Sequence, residues 1–280
     1  MSAGAHRQPI AGVARPSGRR LLRLLRLAGI LGGAAVLGGG LWLGERLGRP
    51  AGLAVRTRLA RSVLGGLGRA LPYDLQRTGQ LPQQPMLWVC NHVSWCDIPL
   101  LGGLAPLCFL AKSEVRSWPL AGWLAERAGT QFIRRGQGES GAVAGRLARL
   151  LAEGHSLLVF PEGTTGDGRA LLPFHARLLE SAIAAGVPVQ PVALRYRRNG
   201  ARDRLAPFLG NDSLPAHLLR LLGTSRADVS IELLAPIPSQ GRTRRALAQA
   251  ARDAIESALG ERPADDAPGG ARPVRQASAA

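Results

Sequence analysis

The sequence is poor in cysteine, aromatic residues, acid and lysine. Its three cysteines, Cys90, Cys96 and Cys108, are an odd set with no CxxC pair, which argues against a disulfide framework or a zinc site and suits a reducing, cytosol-facing compartment. Aromatics make up only 4% of the chain, and there is no zinc-finger spacing, RNP-like run or helix-turn-helix pattern. No nucleic-acid partner is therefore expected. Acidic residues number 19 against 36 basic ones, and Lys112 is the single lysine. The formal charge of +17 calls for an anionic partner, and with nucleic acid set aside that partner is the surface of a membrane.

Long apolar runs are scarce too, with one exception. Residues 27–44, LAGILGGAAVLGGGLWLG, carry no charge, with Arg19, Arg20, Arg23 and Arg26 before them and Glu45, Arg46 and Arg49 after. As a helix this stretch is roughly 27 Å long, just short of a hydrocarbon core of about 30 Å, so it either crosses or dips in. Leucines 21, 22, 24 and 25 extend its apolar side, because arginines at helix ends can snorkel to the headgroups. A cleaved signal peptide is disfavoured by the long approach and by the lack of a small-residue cleavage site. Arginine counts on the two sides are nearly balanced and leave the orientation open. Trp42 is placed to anchor at an interface.

At 46% apolar residues, the remainder is rich enough to bury a core. Residues 1–20 read as a mobile basic N-terminus, 21–48 as the hydrophobic membrane segment and 49–80 as an amphipathic basic helix and connector. Residues 81–260 read as the catalytic domain and 261–280 as a disordered Pro/Ala/Gly-rich tail. In the connector, Val55, Leu59, Val63, Leu64 and Leu67 recur at helical spacing between arginines, which fits a helix on a membrane surface or one packed on the core. From residue 86, short apolar runs at 87–90, 108–111, 131–133, 157–160 and 189–194 alternate with helix-like stretches at 94–104, 119–128, 140–152 and 175–185. A further strand is expected at 229–234 and a final helix at 243–259. The alternation predicts an α/β fold, a central mixed sheet flanked by helices behind an N-terminal membrane-associated helical segment.

Four segments carry candidate chemistry. Asn91-His92 ends the first strand, and Asp97 follows His92 by five residues, close enough for a turn to return its carboxylate to the imidazole. An Asp that takes the proton of one ring nitrogen leaves the other free as a general base, although a plain hydrogen-bonded turn has the same composition. Gly129-Thr130-Gln131-Phe132-Ile133-Arg134-Arg135 puts two guanidinium groups after a strand, suited to an anionic ligand or to a solvated turn. Phe160-Pro161-Glu162-Gly163-Thr164-Thr165-Gly166 ends another strand in a turn able to bring backbone N–H groups to an anion. Val187-Pro188-Val189-Gln190-Pro191-Val192 is a strand with two prolines, which suggests an edge or the lining of an acyl slot. Cys96 reads as a packed thiol, His155 as part of a surface turn, His6 and His217 as incidental, and His175 as structural or within reach of the acceptor pocket.

With the four in this order, the chain resembles the glycerophospholipid acyltransferase family, in particular bacterial 1-acylglycerol-3-phosphate acyltransferases. Asn91-His92 with Asp97 matches NHxxxxD, 129–135 matches GxxFIxR, 160–164 matches FPEGT and 187–192 matches VPxxPV. The resemblance implies that His92 is the catalytic base and Asp97 its orienting partner. It also implies that Arg135, helped by Arg134, binds phosphate, and that Glu162, Gly163 and Thr164 shape the acceptor site. It further implies a bacterial inner-membrane enzyme, with its catalytic domain facing the cytoplasm, that moves an acyl group from acyl-CoA or acyl carrier protein to 1-acylglycerol-3-phosphate. The product would be phosphatidic acid for phospholipid biosynthesis, made without a metal or cofactor. One departure bears on the acceptor: Thr165 stands where the family often has arginine or serine, which shifts weight toward another lysolipid such as lyso-ornithine lipid. Arg169 and Arg177 are the nearby candidates to compensate. Other classes with the same composition are an acyl-thioester hydrolase and a non-catalytic tether for anionic lipid.

Overall fold

The computed structural model describes residues 18–134, 140–210 and 212–260. The tail at 261–280, most of the expected mobile N-terminus and Arg135 lie outside the described residues. Parallel strands β2 (Leu87–Cys90), β3 (Leu107–Lys112), β4 (Gln131–Ile133), β5 (Ser156–Val159) and β6 (Val189–Arg198) form the middle and one flank of a mixed sheet. β8 (Ala227–Leu233) runs antiparallel to β6 and carries β1 (Tyr73–Thr78) on its outer side, giving the order β1-β8-β6-β2-β5-β3-β4. The short β7 (Ala201–Arg202) folds back on the end of β6. β1 is a difference from expectation, because the sheet begins inside the stretch read as connector. Its pattern is one buried residue followed by exposed ones, so it has no apolar alternation to reveal it.

Each central strand splits its side chains between two layers, because successive residues face opposite sides. Trp88 and Cys90 join Leu158, Val192 and Leu194 beneath α3 (Asp97–Gly102) and α8 (Leu214–Leu222). Leu87 and Val89 join Leu157, Val159 and Val189 beneath α6 (Ser140–Ala152), α7 (Glu180–Ala185) and α9 (Arg244–Gly260). α6 is held by Val143, Leu147 and Leu151, a stripe at spacing four that is fully buried; each side chain contributes about 1.5–3 kcal/mol. The helix expected at 175–185 divides into a 3-10 turn (Ala176–Leu179) and α7, and α4 (Ser113–Arg116) and α5 (Ala121–Arg127) bridge β3 to β4.

β6 is the clearest correction. Two prolines suggested an edge strand, yet β6 lies between β2 and β8 in the interior of the sheet. Pro188 precedes the strand, so only Pro191 breaks a ladder. Leu234 N donates to Pro191 O at 3.0 Å, and the return bond from Pro191 cannot form. The side-chain amide of buried Gln190 replaces it, with Nε2 at 2.6 Å from Leu234 O. Beyond that point the register steps by one residue, from Val192↔Leu233 to the bridge Val189↔Ile237, a bulge that accommodates the proline.

α1 (Gly18–Arg46) is long and apolar enough to cross a membrane, but it packs along the domain. Near its start Arg23 donates to Leu222 O at 2.8 Å and Thr224 O at 2.7 Å. Midway, Gly38 faces the Trp123 ring of α5, where an added Cβ would come within 2.6 Å. Near its end Glu45 pairs with Arg56 of α2 (Leu53–Ala70) and with Arg127 of α5. α2 packs on α3 through Gly68 against Pro99, so of the two readings of this helix, packing on the core is the one observed.

Candidate active site

The turn after β2 carries the first motif. α3 begins at Asp97, three residues later than expected, and its carboxylate folds back over residues 92–94. Oδ2 accepts from His92 Nδ1 at 2.8 Å, Val93 N at 2.8 Å and Ser94 N at 3.0 Å. Oδ1 accepts from the Tyr196 hydroxyl at 2.5 Å, and Asp97 is fully buried. A carboxylate has no proton to give, so Nδ1 carries the proton and Nε2 keeps a free lone pair. The imidazole stacks on Phe160, ring centroids 3.8 Å apart, and remains partly exposed. Asn91 closes the end of the sheet by exchanging both amide bonds with Leu194, at 2.9 and 2.8 Å.

Glu162 lines the cleft and also braces the backbone. It is 5% exposed, with Oε1 accepting from His92 N at 2.7 Å and Oε2 from Leu172 N at 2.9 Å. Burial pushes its carboxyl up, opposed by those two N–H groups. It fastens the backbone of His92 to the loop after β5. Gly163 turns at φ 72° to make this bend, a conformation costly for any residue with a Cβ, and Thr164 is exposed beside it. Thr165 donates its hydroxyl to Phe208 O, and Val93 O accepts from Phe208 N at 3.0 Å, so one loop braces both motifs. Arg134 is exposed at the end of β4. Arg169 lies 3.4 Å from Asp167, and Arg177 is exposed on the 3-10 turn. His175 is exposed, tied through its backbone N–H to Pro161 O.

His217, read as incidental, is buried against the site loop. Its Nδ1 accepts from Trp95 Nε1 at 3.0 Å, so its proton sits on Nε2, which donates to Pro207 O at 3.1 Å. Burial, then the nearby Arg220, lowers its pKa and keeps it neutral. Tyr196 was missed as well. The signal available was alternation on β6, where it falls between Arg195 and Arg197 on the opposite face, but nothing local points it at Asp97. The cysteines are buried and unpaired. Burial raises the thiols of Cys90 and Cys96 well above their ordinary value and pushes Cys108 up to about 12, so none supplies a thiolate near neutrality.

His92, Asn91 and Glu162 face a cleft of about 580 Å3 at the C-terminal ends of the parallel strands, where open α/β sheets place ligands. A partly exposed imidazole with a fixed tautomer can take a proton from a hydroxyl and return it to a leaving group. Among the described residues no cluster of His, Cys, Asp and Glu could hold a metal ion.

Residues 74–195 match the Acyltransferase family. A lyso-ornithine lipid O-acyltransferase of Pseudomonas aeruginosa is 56% identical over 86% of this chain and 94% of its own length. A 1-acyl-sn-glycerol-3-phosphate acyltransferase of Neisseria gonorrhoeae is 33% identical over 76% of this chain and 83% of its own. Among solved structures, the 1-acyl-sn-glycerophosphate acyltransferase of Thermotoga maritima shares the fold, with a TM-score of 0.58 and 22% identity over 87% of this chain and 97% of that one.

Proposed function

The chain belongs to the glycerophospholipid acyltransferase family and is an acyltransferase of lysolipids, and from that premise we propose that its acceptor is a lyso-ornithine lipid. The observation that carries this choice is the 56% identity to the P. aeruginosa enzyme across nearly the whole of both chains, against 33% to the N. gonorrhoeae enzyme that takes 1-acylglycerol-3-phosphate. That phosphate acceptor, the first expectation from sequence, becomes the second reading. Thr165 agrees, since its hydroxyl braces the Phe208 loop where an arginine would otherwise reach for phosphate. An ornithine headgroup offers a carboxylate, and Arg134 with Arg135 suits that group as well as it suits a phosphate.

In this reading His92 Nε2 removes the proton of the lysolipid hydroxyl while Asp97 holds the ring and stabilises the imidazolium that forms. The oxygen attacks the thioester carbonyl, an ester C–O bond forms, the C–S bond breaks, and the proton passes from His92 to the departing sulfur. The donor is acyl-CoA or acyl carrier protein. Gly163 and Thr164 border the acceptor side, and Glu162 supports them by fixing the backbone of His92. We place α1 in one leaflet: its fastening to the domain at Arg23 and Glu45, roughly 33 Å of helix apart, supports a helix lying along the membrane surface rather than one that spans. Its other side exposes Leu21, Leu25, Val36, Trp42 and Leu43 to lipid. The membrane is the bacterial inner membrane, with the catalytic domain on its cytoplasmic face.

The test is a panel of purified lysolipids with one labelled acyl thioester. Lyso-ornithine lipid is expected to give the highest kcat/KM, and His92→Ala to lower it by at least about a hundredfold, the lower end for a lost general base. Faster turnover of 1-acylglycerol-3-phosphate would hand the choice to the second reading. Thiol release independent of acceptor would mark a hydrolase instead.

A further inference from the structure

The cleft beside His92 begins at Glu162 and Gly166 of the third motif and runs on past it. Neither Arg134 nor Gly163 nor Thr164 lines it; its walls are the loop at 166–171, the β6–β7 hairpin and the last turn of α9. In the sheet, Arg134 lies beyond β4 on one side of β2, whereas β6 and β7 lie on the other, so His92 stands between two separate regions. The second region is basic. Arg169, Arg195, Arg197 and Arg202 line it.

The acids of the cleft do not cancel this charge. Asp203 has both oxygens on Arg198, at 3.1 and 2.9 Å, and Glu256 has both on Arg252, at 3.2 and 2.7 Å. Glu162 is occupied by the two backbone N–H groups described above. Asp167 alone stands among the lining arginines, 3.4 Å from Arg169 and 3.8 Å from Arg202. Arg195 closes the end of α9 by donating to Ala258 O and Leu259 O, a structural duty. Arg202 spends Nη1 on Asp167 O at 2.6 Å, and Arg169 and Arg202 keep side chains 70% and 31% exposed toward solvent, with donors left to meet an anion.

We propose that this cleft binds the phosphate of a phosphopantetheine thioester, the arm common to CoA and to acyl carrier protein, and so delivers the acyl carbonyl to His92 from the side opposite the lipid acceptor. The proposal rests on the acyl-transfer reading and adds the donor's site to it. The spacing fits: Leu194 is bonded to Asn91, and Arg197 lies three residues further along β6, on the order of 10 Å away before its side chain reaches out. A pantetheine arm is about as long as four extended residues, on the order of 15 Å, enough to span from a phosphate at the arginines to a thioester at the imidazole. The bridging contacts are charge-assisted bonds from guanidinium to phosphate oxygen.

The experiment compares four donors with the same acyl chain: acyl-pantetheine, which has no phosphate, acyl-4'-phosphopantetheine, acyl-CoA and acyl carrier protein. Each is given to the full-length protein and to Arg169→Gln, Arg202→Gln and the double variant. Wild type should prefer phosphate-bearing donors by about tenfold or more, the size of one charge-assisted hydrogen bond. Each variant should raise KM for those donors, with the lysolipid KM unmoved, and the double variant should close the gap to acyl-pantetheine. A loss seen only with acyl-CoA assigns the site to free CoA, a loss seen only with the carrier protein assigns it to the carrier's arm, and either supports it. An equal loss with acyl-pantetheine, or a raised lysolipid KM in place of a raised donor KM, would overturn it. Because Arg169 is exposed, its variant isolates charge from folding, and unchanged thermal melting confirms this. Wild type that transfers from no donor would sink the acyl-transfer reading itself, an outcome separate from the other two.

Discussion

At Asp97 four donors meet, and only His92 belongs to the motif that the spacing of the sequence reveals. Two are backbone N–H groups of the same turn, and the fourth, the Tyr196 hydroxyl, comes from a strand 99 residues away. Tyr196 is the sole donor to Oδ1 among the described residues, and burial holds its phenol protonated. Tyr196→Phe therefore leaves a buried carboxylate oxygen unpaired, at a cost of about 1–3 kcal/mol. The expected result is a fall in kcat of about tenfold with both KM values little changed, measured under saturation for each substrate. The pairing of His92 with Asp97 was legible because five residues after a strand end let a turn return the carboxylate to the ring, while their role came with the resemblance carried by all four motifs. Tyr196 and His217 were not, since their partners are distant in sequence.

Among the elements, β6 shows how a local rule yields to a side chain. Proline in an interior strand removes one ladder donor, and the neighbouring glutamine restores it by bonding Leu234 O. Gln190→Leu should keep the shape of that position and lose the bond, lowering stability by about 1–3 kcal/mol, seen as a lower denaturant midpoint at unchanged m. Adding Pro191→Ala to that variant brings back a backbone N–H and should recover part of the loss. No recovery would mean that Gln190 stabilises β6 in some other way. β2, β5 and the first half of β6 were visible because both of their faces are buried. β1 was invisible because every residue after Tyr73 is exposed, Leu75 included, and the strand is held by pairing with β8.

For the whole molecule, His217 couples the site loop to α8, and α8 meets α1 separately, through Leu222. Its folded pKa lies below the ordinary 6.5, so as pH falls the unfolded chain takes up a proton before the folded one does. The stability it contributes is present above about 6.5 and is lost as pH drops toward the lower folded value. Denaturant midpoints at about pH 7.5 and 5.5 should separate for wild type and converge for His217→Gln, which has no titrating ring. Equal separation in both proteins would place the pH response elsewhere.

The sequence by itself determined the α/β class and the presence of one helix long and apolar enough to cross a membrane, because each rests on short-range periodicity, and it pointed to the family through four motifs taken in order. Tertiary structure decided which groups surround that motif. It gave Glu162 a duty as brace for the backbone of His92, put the two-proline strand in the middle of the sheet, and laid α1 along the domain. It also gathered arginines from the loop after β5, from β6 and from β7 into one cleft. The physical reason is the same in each case: burial and pairing across distant segments fix what a buried polar group can meet, and no local pattern records a partner a hundred residues away.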